Sequence, residues 1–168
     1  MSDERTYHPW TTVMIAREEA RSRGDRRIGT EHLVLGLLPE PGIAEALATD
    51  PASARAALAG ADEEALAAVG IDAAVGPPPA APEEPEELPG RPTVKELLTH
   101  RLGTTPAAKE ALREMGRPLR RKGRPWTAEE LMLVLLELRP PDPAAELLDR
   151  LGVDRAAARE RLRLREAA

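Results

Sequence analysis

The chain has 168 residues and a net charge of −5; 42% of its residues are hydrophobic but only 2% are aromatic, and it contains neither Phe nor Cys. A core of Leu, Ala, Val, Ile and Met favours packed helices, and the lack of Cys excludes disulfides and thiolate chemistry. The acidic balance argues against general nucleic-acid binding. The sequence shows neither a signal peptide nor an apolar run of about 20 residues, so we expect a cytoplasmic protein with no membrane contact.

The first half of the chain is predicted to form several short helices. Apolar residues at helical spacing predict a helix over 9–23, which Gly24 ends. The next helix opens at Gly29 or Thr30, and because it is apolar almost all round we expect it to be buried. The helices predicted after it are at about 43–48, 51–59 and 62–69. Asp50 is placed to cap the middle one of these three.

A stretch rich in proline and glutamate separates the two halves. Residues 73–92 hold seven prolines and four glutamates, a composition that cannot bury a core, so we assign 72–92 to an extended linker. After it, Thr93 caps a helix and another helix opens at 105–106, which Pro118 is expected to kink or end. Three more helices follow without any sustained strand pattern. The predicted fold class is therefore all-α.

The second half of the sequence repeats the first. "EHLVLGLL" at 31–38 matches "EELMLVLL" at 129–136 in five of eight positions. "DPASARAAL" at 50–58 matches "DRAAARERL" at 154–162 in five of nine, and the matched segments keep their order.

This repetition predicts the domain organisation. Each unit contains a helix too apolar to stand alone, so we expect two pseudo-symmetric four-helix repeats packed into one domain over 1–168. The first repeat, with an extra helix, covers 8–71 and the second covers 93–168. The residues predicted to be buried in the shared core are Leu33, Leu37, Leu131 and Leu135.

Several stretches give the chain a resemblance to a known family. They are "AREEARSRGDRRIGTEHLVLGLL" in the first repeat, "TTPAAKEALREM" opening the second, and "WTAEELMLVLL" and "LLDRLGVD" completing it. Together they resemble the Clp N-terminal repeat domain, the double four-helix module at the front of bacterial Clp-type AAA+ unfoldases. The resemblance covers nearly the whole chain apart from the linker and the extra helix near 62–71. In the second repeat Glu130 stands where the family has His, and Gly116 and Pro118 interrupt the first helix.

The resemblance also implies a binding site. In the family, the corresponding glutamates of both repeats line pockets that bind phosphorylated arginine: the carboxylate pairs with the guanidinium, and amides at the helix start hold the phosphoryl group. Carried over by alignment, the candidate ligand-binding residues are Glu31 and Glu129, with Thr30 and Thr127 as companions. The alternative is purely structural, because an acidic first turn stabilises a helix and Thr127 with Glu130 reads as a capping box.

Other chemistry has little support in the sequence. No second His or carboxylate falls at ligand spacing on the predicted face of His32, so we interpret it as a core or capping residue and expect no metal site. No phosphate-cradling loop and no catalytic constellation occurs, so neither an enzyme activity nor a cofactor is expected. Residues 113–124 carry six basic groups. They are interpreted as a solvated helix end, or else as a patch for an acidic partner; nucleic acid comes third, because stacking residues are missing.

Two classes of function remain open. The first is a stand-alone Clp N-terminal-like module that binds substrates, adaptors or peptide ligands, arginine-phosphorylated ones among them, and modulates a Clp unfoldase–protease. A variant of it sequesters antibiotic peptides that target the unfoldase, although family members bind these through a surface that includes Phe, which this chain lacks. The second class is a helical regulatory scaffold unrelated to proteolysis.

Overall fold

The computed structural model describes residues 9–71, 103–122 and 127–166. In chain order these ranges form α1 (Pro9–Ser22), β1 (Arg27–Ile28), α2 (Thr30–Leu37), α3 (Pro41–Leu47), α4 (Pro51–Ala68), β2 (Gly103–Thr104), α5 (Pro106–Lys122), α6 (Ala128–Glu137), α7 (Pro143–Arg150) and α8 (Arg155–Glu166). The predicted all-α character is confirmed. The linker predicted over 72–92 and the helix predicted after Thr93 lie outside the described residues. No helix in the described ranges combines the length and the apolar character needed to cross a bilayer.

Two helices run further than the sequence predicts. Helix α4 continues from Pro51 to Ala68 without a break, so the separate helix expected at 62–69 is the second half of α4. The glycine between the two predicted segments is tolerated because glycine in a helix interior costs only about 1 kcal/mol. Helix α5 continues past Pro118, so the prediction that Pro118 can end the helix is wrong. The fixed φ of proline is close to the helical value, so a proline weakens a helix without necessarily stopping it.

Acidic side chains cap three of the helices that begin with a proline. The Asp50 carboxylate accepts two backbone N–H groups from the first turn of α4, at 2.9 and 3.0 Å, which confirms its predicted role as a cap. Asp142 accepts one such group at the start of α7, at 2.9 Å, and Glu40 accepts one at the start of α3, at 3.0 Å. A proline follows each of these residues at the first helical position, where its missing N–H would have had no partner in any case.

Helices α2 and α6 form the centre of the core. Helix α2 packs against α1, α4, α5, α6 and α7, and α6 packs against α2, α3, α5, α7 and α8. Seven of the eight residues of α2 are buried. The four leucines predicted to be buried, Leu33, Leu37, Leu131 and Leu135, are all 0% exposed. Burying each of these leucines contributes about 1.5–3 kcal/mol to stability.

Helices α1 and α2 approach each other closely at Gly36. A Cβ at this position would overlap the carbonyl oxygen of Thr12 and lie 3.2 Å from the backbone nitrogen of Ala16. The contact between α1 and α2 therefore depends on the absence of a side chain. At the aligned position, α6 carries Val134, which is partly buried against the core.

Polar contacts join helices that are distant in the sequence. Nε of Arg55 on α4 lies 3.0 and 3.1 Å from the two carboxylate oxygens of Glu19 on α1, and this hydrogen bonding raises the pKa of Arg55. Arg161 on α8 donates to the carbonyl of Ala46 in the last turn of α3, at 3.0 Å. A cationic donor is favoured there because the last carbonyls of a helix lack intrahelical partners.

Two short parallel strands precede α2 and α5. Arg27 lies opposite Gly103 and Ile28 opposite Thr104, and the N–H of Thr105 donates to the carbonyl of Ile28 at 2.9 Å. Strands of two residues are too short to show a sequence pattern, so the pairing was not predicted. It fixes the backbone directly before α2, where the candidate site begins.

Candidate functional site at the start of helix α2

The candidate site is built on the turn that joins α1 to α2. Gly24 ends α1 with a φ of +77°, a conformation that suits glycine, and the N–H of Asp25 then bonds back to the carbonyl of Ala20 at 2.8 Å. Strand β1 follows and leads to Gly29, the cap residue of α2. This path brings the side chain of Asp25 back against the first turn of α2.

His32 closes the first turn of α2. Its side chain is 0% exposed, and its Nδ1 accepts the backbone N–H of Gly29 at 2.9 Å. This is the contact that Glu or Gln makes in a capping box. Because Nδ1 uses its lone pair here, the proton of the neutral ring is on Nε2, which lies 3.1 Å from Oδ2 of Asp25 and donates to it. The interpretation of His32 as a capping residue is therefore consistent with its hydrogen bonds.

The carboxylate of Glu31 lies folded over Gly29. A Cβ on Gly29 would overlap both carboxylate oxygens, so the lack of a side chain at residue 29 creates the space that they fill. Oε1 lies 3.2 Å from Nδ1 of His32, and Oε2 is buried without a hydrogen-bond partner. The side chain as a whole is 15% exposed. Glu31 is thus a nearly buried carboxylate whose hydrogen-bonding capacity is not met by the protein.

Asp25, Glu31 and His32 place one possible metal-ligand atom each within 4.8 Å of one another. The sequence analysis found no carboxylate at ligand spacing beside His32, and the structure corrects this, because a turn rather than a helical repeat brings Asp25 into contact. The hydrogen bonds nevertheless argue against a metal. The lone pair of Nδ1 is taken by Gly29 and Nε2 carries the proton, so neither ring nitrogen has a free lone pair to donate to a cation.

Thr30, a predicted companion of Glu31, lies in a contact between helices. It is 1% exposed; its hydroxyl donates to Oδ1 of Asp142 at 2.8 Å and accepts the N–H of Ala144 at 3.3 Å. Both capacities of the hydroxyl are thereby used to join the start of α2 to the start of α7. Asp142, the partner of Thr30 in this contact, was not singled out from the sequence.

The start of α6 is built differently. The hydroxyl of Thr127 accepts the N–H of Glu130 at 3.2 Å, and the carboxylate of Glu130 accepts the N–H of Thr127 at 3.0 Å, which confirms the predicted capping box. Glu129, the second predicted ligand residue, lies in the first turn of α6 and is partly exposed. Glu129 therefore has the same place in its helix as Glu31, and Glu130 the same place as His32.

No protein-family model and no curated protein matches this chain. The candidate site is therefore defined by its own geometry and by the resemblance seen in its sequence.

Proposed function

We propose that this chain is a protein-binding module of the Clp N-terminal type, and that Glu31 and Glu129 bind a cationic group of a partner. The phosphorylated arginine of a substrate is the ligand that the resemblance implies. The observation that carries the proposal is the unpartnered Oε2 of Glu31, which is buried in the first turn of α2.

An unpartnered buried carboxylate oxygen is unusual because leaving such a group unsatisfied costs about 1–3 kcal/mol or more. A guanidinium removes that cost by donating two parallel hydrogen bonds to one carboxylate. To meet a ligand, the carboxylate of Glu31 must swing outward from its place over Gly29. The first backbone N–H groups of α2 and the helix dipole lie beside it and favour an anionic group, such as a phosphoryl group, on the same ligand.

The proposal includes two four-helix repeats, α1–α4 and α5–α8. If α1–α4 are matched in order with α5–α8, several helix contacts in one half have an equivalent contact in the other half. Helix α2 packs on α7 as α6 packs on α3, and α4 packs on α7 as α8 packs on α3. The caps of the fourth helices match too, since Asp50 and Asp154 each accept two backbone N–H groups of the first turn. A pseudo-symmetric pair of helix starts, one with Glu31 and one with Glu129, follows from this arrangement.

In the cell, such a module docks substrates, adaptors or peptides and modulates a Clp unfoldase–protease, by delivering clients or by competing for them. Capture from cell lysate tests this part of the proposal. Recovery of Clp unfoldase subunits or of arginine-phosphorylated proteins by the wild type, but not by the Glu31→Gln, Glu129→Gln double variant, is the expected result. Repeated absence of both from the wild-type capture favours a helical scaffold unrelated to proteolysis.

Calorimetric titration with a phosphoarginine peptide tests the ligand. Glu31→Gln and Glu129→Gln each keep the size of the side chain and remove its charge, so each should weaken its own site by about tenfold or more, which corresponds to about 1.4 kcal/mol. Glu63→Gln, at an exposed position on α4, is the matched control and should leave the affinity unchanged. No heat of binding for the wild type at high peptide concentration would show that these glutamates have no such ligand.

A further inference from the structure

A second carboxylate lies beside that of Glu31. The turn after α1 brings an oxygen of Asp25 within 4.8 Å of an oxygen of Glu31. The side chain of Asp25 is 44% exposed and that of Glu31 is 15% exposed, so Asp25 is the one that a ligand reaches directly from solvent. One cationic group with N–H···O distances of about 2.9 Å to each oxygen can span this separation. Two carboxylates this close repel each other, and a cation between them removes the repulsion.

The hydrogen bonds of Asp25 involve only one of its two oxygens. Oδ2 lies 3.1 Å from Nε2 of His32 and 3.3 Å from Nε of Arg23. Within the part of the chain that the structure describes, Oδ1 has no hydrogen bond. An ionised carboxylate can accept about four hydrogen bonds, so Asp25 keeps the capacity to accept from a ligand without losing its contacts to the protein.

Arg23 shows that a guanidinium fits against the carboxylate of Asp25. Its Nε donates to Asp25, and its Nη2 donates to Oδ2 of Asp62 on α4 at 2.8 Å. One guanidinium thus joins two carboxylates from different parts of the chain. The carboxylates of Asp25, Asp62 and Glu31 carry three negative charges against the one positive charge of Arg23, so the local balance stays negative and favours a second cation.

We propose that Asp25 is a second ligand-binding carboxylate at the start of α2, and that Asp25 and Glu31 together select a guanidinium over an ammonium group. This inference rests on the proposed function and adds the residue that sets its specificity. The N–H donors of a guanidinium lie in one plane, so two of them serve both oxygens of Glu31 while a third reaches Asp25. The donors of an ammonium diverge from one atom and cannot make the parallel pair, and an ammonium is more strongly hydrated.

The start of α6 has no counterpart of Asp25 in the sequence before it. The residues that precede Thr127, "RKGRPW" at 121–126, include neither Asp nor Glu. The other carboxylate in the first turn of α6, that of Glu130, accepts the N–H of Thr127 and serves as part of the capping box. The site at Glu129 should therefore distinguish a guanidinium from an ammonium less well than the site at Glu31.

The experiment compares methylguanidinium with methylammonium, which carry the cationic groups of arginine and lysine. Each is titrated at equal ionic strength, far below denaturing concentrations, while NMR follows the backbone amides of Glu31 and Glu129. At Glu31 methylguanidinium should bind about fivefold more tightly, which is about 1 kcal/mol and the upper range for an exposed ion pair. At Glu129 the two affinities should agree within about twofold. This comparison needs no variant, and equal affinities at Glu31 would overturn the proposal.

Asp25→Asn tests the residue itself. Asn keeps an oxygen that can accept from His32 but loses the charge, so the preference at Glu31 should disappear while binding at Glu129 is unchanged. Asp62→Asn is the matched control, because it removes the other carboxylate bonded to Arg23 without removing the one beside Glu31. It should leave the preference within about twofold of the wild type. A preference that survives Asp25→Asn, or one that both variants abolish equally, would refute a direct contact.

A phosphoarginine peptide separates this inference from the proposed function. In a Glu129→Gln background, where only the site at α2 reports, Asp25→Asn should weaken the peptide by about fivefold. If the peptide does not bind while methylguanidinium is preferred as expected, the proposed ligand is wrong and the guanidinium site stands. If the peptide binds and Asp25→Asn changes neither its affinity nor the preference, the role of Asp25 is wrong and the proposed function stands.

Discussion

The starts of α2 and α6 use different residues to satisfy the free backbone N–H groups of the first helical turn. In α6, Thr127 and Glu130 satisfy each other's backbone N–H groups by a reciprocal capping box. In α2 the cap residue is Gly29, which has no side chain to contribute, and His32 makes only the return contact. The free space over Gly29 is filled by Glu31. The comparison shows that a cap residue without a side chain leaves room for a neighbouring carboxylate to fold over the helix start, whereas a complete capping box leaves none.

The largest effect should come from the contact that distinguishes α2 from α6 in the core. Gly36→Ala places a Cβ against the backbone of α1, which cannot move aside as a side chain can, so we expect the free energy of unfolding to fall by on the order of 3 kcal/mol. Gly60→Ala is the matched control, because nothing lies within 4 Å of its Cβ position in α4; it should stabilise by up to about 1 kcal/mol. Urea denaturation of both variants measures the difference. Equal stability of the two would mean that α1 and α2 do not meet at Gly36.

A smaller effect should separate the two threonines at the helix starts. Thr30→Val keeps the shape but removes a buried hydroxyl and leaves Asp142 without its interhelix donor, which should cost about 1–3 kcal/mol. Thr127→Val removes only the capping contact at a partly exposed position, at about 1 kcal/mol. Thermal unfolding at neutral pH compares them. A larger loss for Thr127→Val would contradict the placement of Thr30 in the contact between α2 and α7.

The smallest effect concerns acid stability at the caps of α4 and α8. Hydrogen bonds from Ser53, with its backbone N–H the largest cause, hold the pKa of Asp50 below its ordinary value. A carboxylate with a lowered folded-state pKa stabilises the protein above the unfolded-state pKa of about 3.9, and this contribution is lost as the pH falls through the folded-state pKa. Asp50→Asn should therefore make the acid limb of the unfolding profile shallower. The thermal midpoint, followed from neutral to acid pH, measures this.

The control for that measurement is Asp154→Asn at the matching cap of α8, which accepts two backbone N–H groups in the same way. Asn is itself a good cap, so both variants should stay close to the wild type at neutral pH. An acid limb that Asp50→Asn leaves unchanged would show that this cap does not contribute to acid stability.

Much of the candidate site was accessible to sequence reasoning because it depends on local rules. The capping box of Thr127 and Glu130 follows from the spacing of two residues. The capping role of His32 was one of its two interpretations. Asp25 was missed as a partner of His32, since the two meet across a turn whose direction depends on Gly24 and on the pairing of β1 with β2. The buried hydroxyl of Thr30 was missed for the same reason, because its partner is 112 residues away.

The sequence by itself determined most of the elements. Apolar spacing predicted the helices, Asp50 before a proline predicted the start of α4, and the nearly continuous apolar character of α2 and α6 predicted burial of their leucines. These properties follow from interactions within about one helical turn, which the order of residues fixes. Only the tertiary structure decided that Glu31 folds over Gly29 and lies 3.2 Å from His32, and that Asp25 takes the other ring nitrogen. Hydrogen bonding and burial at that point depend on the path of the backbone through space, which the order of residues within one helical turn does not fix.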